Sequence, residues 1–141
     1  MEHMYAFKAR GHSKILAGHA TTLMVTREEH LTERGDCVVA VCAEASLAGL
    51  LDELKAAARS REAMISLTLE VCGESFTVTG RGTPALTYTS ELDMVTRRSR
   101  YVCGRTLMVE ADSAAVDLPR SIVRLLGNPD AEVNVTLRIQ G

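Results

Sequence analysis

Apolar and polar residues alternate strictly from Ile65 to Val71. Ile65, Leu67, Leu69 and Val71 take one face, and Ser66, Thr68 and Glu70 take the other. A period of two predicts a strand with one wet face. The same alternation returns from Val133 to Ile139, with Asn134, Thr136 and Arg138 on the wet side. A helical period precedes each of these strands. Leu47, Leu50, Leu51, Leu54 and Ala58 form one apolar stripe, and Leu118, Ile122, Leu125 and Leu126 form a second. Asp117 is placed to cap the second helix, Pro119 suits its first turn, and Gly127 before Asn128-Pro129 ends it.

These elements belong to a longer register. Val39–Val71 aligns with Leu107–Ile139 without a gap, setting Val41 on Val109, Ala43 on Ala111, Glu44 on Asp112 and Leu54 on Ile122. Upstream, Phe7–Thr26 resembles Phe76–Thr96 with one residue inserted; each copy opens on a phenylalanine, turns at glycine and ends in Met-Val-Thr. The expected fold class is α+β. Two tandem β-β-β-α-β repeats, about residues 5–72 and 75–140, would be related by a pseudo-two-fold and fused into one domain over residues 4–141. The opening Met1–His3 is set aside, with Met4 taken as the first residue. One helix leaves much of a four-stranded sheet wet, so each half is expected to bury its own sheet against the other half. The crossover between the strands flanking each helix is expected to be right-handed. The pattern is silent on whether the sheets stay open or close into a barrel.

Composition narrows the classes. A chain of 141 residues, 46% hydrophobic and 24% charged, fits one globular domain. A net charge of −2 argues against a basic nucleic-acid or membrane surface. No apolar run approaches the roughly 18 residues of a membrane span, and no signal peptide opens the chain, so a cytoplasmic location is expected. The cysteines, Cys37, Cys42, Cys72 and Cys103, form no C-x-x-C pair and are expected to be buried free thiols. No phosphate-binding glycine loop, dinucleotide fingerprint or serine-nucleophile elbow is present. With no Trp, two Phe and three Tyr, the chain offers little for base stacking.

Candidate chemistry gathers where the two halves differ. His12 and His19 bracket the turn between the first two strands, where the second half has Thr83 and Thr87–Thr89. Imidazole suits proton transfer or metal ligation, and Asp36, at the start of the third strand, is the obvious candidate for the carboxylate of a triad. The bland reading is that the histidines hydrogen-bond their own loop and that Asp36 satisfies turn amides. His30, in a polar run, is read as a surface residue. The second half supplies Met94–Thr106, with Arg97, Arg98, Arg100 and Arg105. Guanidinium forks suit phosphate or carboxylate, with Ser99 and Thr106 donating alongside. The bland reading pairs these arginines with Glu91, Asp93, Glu110 and Asp112.

The favoured expectation is a small anionic ligand, a phosphorylated metabolite or nucleotide, in a cleft between the halves. His12, His19 and Asp36 would serve as catalytic groups, and Arg98, Ser99, Arg105 and Thr106 as ligand-binding groups. Any chemistry there would use a histidine as general base and an arginine against developing negative charge. The sequence names no cofactor and no metal and leaves open whether the protein is an enzyme. The rival expectations are a non-catalytic RNA- or protein-binding module, and a homo-oligomer assembled through wet sheet faces or strand edges.

The run GH…H.TTL.VT…LT.RGDC, followed by MV.R.S…RT…AD.AA.DL.R, resembles a small family of mostly archaeal proteins, domain of unknown function 371. The likeness covers nearly the whole chain, touching Gly11, His12, His19, Thr22, Arg34–Cys37, Arg98, Ser99, Arg105, Thr106, Asp112 and Arg120. The family pattern often carries Glu where this chain has Met24. The resemblance implies a stand-alone cytosolic protein and no particular activity.

Overall fold

The computed structural model describes residues 2–32 and 34–141; Met1 and Glu33 lie outside the described residues. The element order is β1 (Glu2–Arg10), β2 (Thr22–Thr26), β3 (Val38–Ala40), α1 (Asp52–Ala58) and β4 (Met64–Val71). The same order follows again as β5 (Glu74–Arg81), β6 (Asp93–Arg97), β7 (Thr106–Met108), α2 (Arg120–Leu126) and β8 (Glu132–Gln140). A 3-10 turn, Ala115–Asp117, precedes α2. Glu2 and His3 are part of β1, paired with Gln140 and Ile139, so the ordered strand begins ahead of the expected Met4.

Neither half builds its own sheet. One sheet runs β1-β8-β4-β5 and the other β3-β2-β6-β7, so each takes two strands from each half. The first sheet is antiparallel throughout. The second has an antiparallel pair, β2–β6, flanked by the parallel pairs β2–β3 and β6–β7. Because β3 and β4 lie in different sheets, as do β7 and β8, the handedness rule for a crossover within one sheet does not apply. Single antiparallel bridges, Arg10 to Val41 and Arg81 to Val109, tie the edges of the first sheet to the chain just beyond β3 and β7. The eight strands thereby form a continuous ring.

The alternation seen in the sequence fills this ring. Ile65, Leu67, Leu69 and Val71 of β4 meet Val133, Val135, Leu137 and Ile139 of β8, all at most 1% exposed, in one apolar cluster with Leu23 and Val25 of β2 and Met94 of β6. Burying side chains of this kind contributes about 1.5–3 kcal/mol each before the entropy of ordering is counted. The helices are shorter than the stripes predicted. Leu47 and Leu50 are buried in the turns ahead of α1, not within it. Asp117 caps the 3-10 turn, accepting the Ala114 amide at 2.8 Å, while Pro119 immediately precedes α2. Gly127 ends α2 as expected. A tight turn at Cys72-Gly73, both at positive φ, joins β4 to β5.

The loop entries recur in the two halves. The Gly11 amide donates to the Ala131 carbonyl and the Gly82 amide to that of Ala63. At both glycines a Cβ would fall on backbone carbonyl oxygens, those of Leu126 and Asn128 for Gly11 and those of Ala58 and Ser60 for Gly82. Likewise Ala43 donates to the Thr26 carbonyl and Ala111 to that of Arg97.

Candidate functional site

The β1–β2 loop, residues 11–21, runs along α2 from one end to the other. At the C-terminal end, the His12 amide donates to the Leu126 carbonyl at 2.9 Å, and His12 Nδ1 accepts the Lys14 amide at 3.0 Å. At the N-terminal end, the Arg120 guanidinium donates to the carbonyls of Leu16 (3.2 Å), Ala17 (3.0 Å), Val116 (3.3 Å) and Leu118 (3.0 Å). The His19 carbonyl accepts the Val116 amide at 3.0 Å. The two histidines therefore sit at opposite ends of a seven-residue helix, separated by about 10 Å of helical rise.

His19 organises the entry to β2. Its Nδ1 accepts the amides of Thr21 (3.2 Å) and Thr22 (3.1 Å) and lies 3.0 Å from the Thr22 hydroxyl. Nδ1 is thus the acceptor nitrogen, which leaves Nε2 as the donor. The Asp36 carbonyl accepts the amides of Gly18 (3.0 Å) and His19 (3.3 Å), which holds the half-buried Asp36 beside this turn. Beyond it, burial pushes the Cys37 thiol up, against a weaker hydrogen bond from Thr22.

The arginine-rich segment joins the same patch from the second half. The Arg98 amide donates to the Thr21 carbonyl at 3.0 Å, and its guanidinium lies 3.5 Å from Asp117. Arg100 pairs with Glu110 at 2.8 Å and Arg105 with Asp93 at 3.2 Å, two of the carboxylates expected; Asp117 was not among them. Ser99 accepts the Tyr101 amide through its hydroxyl and the Glu110 amide through its carbonyl. Thr106 is fully buried, its hydroxyl accepting from the Cys103 amide (3.1 Å) and Arg97 Nε (2.9 Å). The structure thus brings together His19, Asp36 and Arg98. It leaves His12 at the far end of α2 and encloses Thr106. His30 is exposed, as expected.

Sequence reasoning missed Cys103. None of the four thiols is buried as expected: Cys72 is exposed, and Cys37, Cys42 and Cys103 are half-buried. Arg97 Nη2 donates to the Cys103 sulfur at 3.4 Å, while Arg97 stacks over the Tyr101 ring, 4.8 Å from the centroid. Burial works against ionisation of this thiol. The Arg105 amide, the Thr106 hydroxyl and the Arg97 guanidinium outweigh it and hold the thiol at about 7, below its ordinary 9.0. The six-residue spacing of Arg97 and Cys103 gives no sequence signal, because it is the loop that folds them together.

Among the described residues, no three His, Cys, Asp or Glu side chains are arranged to hold a metal ion, and no helix is long and apolar enough to cross a membrane. The chain is 38% identical over 122 residues to "Uncharacterized protein MJ0206" of Methanocaldococcus jannaschii, a match covering 86% of this chain and 90% of that protein. The family model described as "Domain of unknown function (DUF371)" matches residues 7–140. With nearly its whole length covered by that match and the archaeal relative alongside, the chain belongs to the DUF371 family.

Proposed function

We propose that the protein is a duplicated β-β-β-α-β scaffold that binds a small anionic ligand along the line where the two copies meet. The duplication is supported by hydrogen bonds that repeat at matched positions. Val41 exchanges bonds with Arg10 as Val109 does with Arg81, and Glu44 donates to Lys8 as Asp112 does to Thr79. Both parallel pairs slip at the same step, between Met24 and Val25 and between Val95 and Thr96. On this correspondence Met24 stands opposite its own counterpart Val95, and Thr68 opposite Thr136. A two-fold axis through both sheets accounts for both.

One observation carries the ligand reading. The Arg98 amide rests on the Thr21 carbonyl and the Val116 amide on that of His19, so the imidazole loop of one copy abuts the arginine-rich segment of the other. Arg98 and Arg105 each give part of their donors to one carboxylate, yet about half of each side chain faces solvent, 48% and 52%. A guanidinium has five donors, so a phosphate or carboxylate can be held alongside. With Nδ1 occupied by the turn amides, His19 offers Nε2 as a hydrogen-bond donor. Asp36 and Asp117 are the carboxylates held beside these groups.

Isothermal titration of the full chain with inorganic phosphate and with adenosine monophosphate tests the reading. Arg98→Ala and Arg105→Ala are each expected to weaken binding by about tenfold, which corresponds to about 1.4 kcal/mol. Absence of binding to both probes at millimolar concentration, or affinity unmoved by both substitutions, overturns it.

A further inference from the structure

A second polar site lies away from the His19–Arg98 patch. A cavity of about 290 Å³ opens between the α1–β4 turn, the β5–β6 loop and the β6–β7 loop, lined by Arg61, Thr83, Ala85, Arg100, Val102 and Glu110. Its walls are fixed by backbone contacts. Gly82 packs against the carbonyls of Ala58 and Ser60, its amide donates to the Ala63 carbonyl at 3.0 Å, and Arg59 Nε donates to that of Leu86 at 2.9 Å.

The charges lining the cavity do not cancel. Arg100 gives its Nε to Glu110 at 2.8 Å. Arg61 makes no ion pair with any described residue. Two guanidiniums and one carboxylate leave an excess of positive charge. The Thr83 hydroxyl accepts the Ala85 amide at 3.4 Å, which leaves its proton to donate into the cavity. Val102 and Ala85 supply an apolar wall.

The opposite half shows that the fold does not require these cations. Leu86 donates to the Thr83 carbonyl as Ile15 does to that of His12, and Ala63 to Ser60 as Ala131 does to Asn128. Glu110 donates to Ser99 as Cys42 does to Glu28. By these bonds Pro129 stands where Arg61 does, and Glu29 where Arg100 does. The same framework carries a cationic pocket on one side and an acidic residue on the other.

We propose that this cavity binds a compact oxyanion: a phosphate or carboxylate group on a body of a few carbon atoms, held between Arg61, Arg100 and the Thr83 hydroxyl. The volume sits at the lower end of the range for small-molecule sites, which excludes a whole nucleotide from full enclosure. The site is independent of the His19–Arg98 patch and shares no side chain with it.

The test titrates the full chain with inorganic phosphate and with phosphoglycolate, followed by amide shifts in nuclear magnetic resonance and by calorimetry. The expected result is movement of the Thr83, Ala85 and Arg100 amides. Arg61→Ala and Arg100→Ala should each weaken phosphoglycolate by about tenfold, and Ala85→Phe, which fills the cavity, should abolish the response without lowering the melting temperature. Glu110→Gln is expected to tighten binding. The proposal is overturned if neither probe moves those amides at millimolar concentration. It is also overturned if affinity stays within about twofold in both arginine variants. Loss of binding in Arg98→Ala and Arg105→Ala, with the cavity variants unaffected, would assign the anion to the other patch and overturn this one.

Discussion

Thr68 stands directly opposite Thr136 in the register of β4 and β8, on the outer face of the first sheet. In the second sheet Met24 holds the same relation to Val95. On the duplication proposed above, these two pairs lie on the axis relating the copies, and residues in matched places can be compared. Several of the predictions below rest on that comparison.

Thr96 is the first case. It is fully buried, and its hydroxyl has no hydrogen-bond partner among the described residues. The matched place in β2 holds Val25. An unsatisfied buried hydroxyl costs stability, so Thr96→Val is expected to raise the unfolding free energy by about 1 kcal/mol in urea titration. A loss of that size instead would show that the hydroxyl has a partner.

His19 tests structure against function. Its Nδ1 does for Thr21 and Thr22 what the Ser90 hydroxyl does for Leu92 (3.2 Å) and Asp93 (3.0 Å). His19→Ala is expected to cost about 1–2 kcal/mol, as loss of a cap does, and His19→Ser to recover most of it. If His19→Ser restores the melting temperature but not phosphate affinity, the imidazole contributes to the ligand as well as to the turn.

Cys103 should be the thiol most reactive towards iodoacetamide near neutrality, its rate rising through a midpoint of about 7. Arg97→Gln is expected to move that midpoint upward, read by mass spectrometry of the modified peptide. Cys37, pushed up by burial, should stay unmodified over the same range. The sign for stability follows from the lowered value. Ionised Cys103 favours the folded state fully above the ordinary 9.0, and that contribution is lost as pH falls through about 7.

Gly82→Ala is expected to lower stability by about 2 kcal/mol or more, because the new methyl meets backbone carbonyls that cannot step aside. Gly18→Ala is the control. Nothing lies within 4 Å of its Cβ position, so thermal unfolding should change little or move slightly upward.

The order of elements was legible because burial imposes period two on β4 and β8 and a stripe on each helix. The start of α1 was not, because Leu47 and Leu50 are buried in the preceding turns at the same spacing a helix would give them. Alternation reveals which face a residue takes and not which strand lies beside it; that is why the mixing of strands between sheets went unseen. The recurring Met-Val-Thr letters say nothing of faces: Val25 packs into the core cluster, whereas Val95 is buried on the opposite side of its sheet, beside Met24. In the candidate site, charge complementarity was enough to name Glu110 and Asp93 among the arginines' partners, but not to say which arginine takes which. The partners of His12 and His19 are backbone amides, which every sequence offers equally.

Strand order has a consequence for any fragment of the molecule. The first half holds β1 and β4 without the β8 that separates them, and β2 without the β6 that flanks it. Expressed alone, such a segment could complete its ladders only by borrowing strands from a second copy of itself. It should therefore be a two-chain, interleaved assembly or remain unfolded, and a stable solitary half is not an available state.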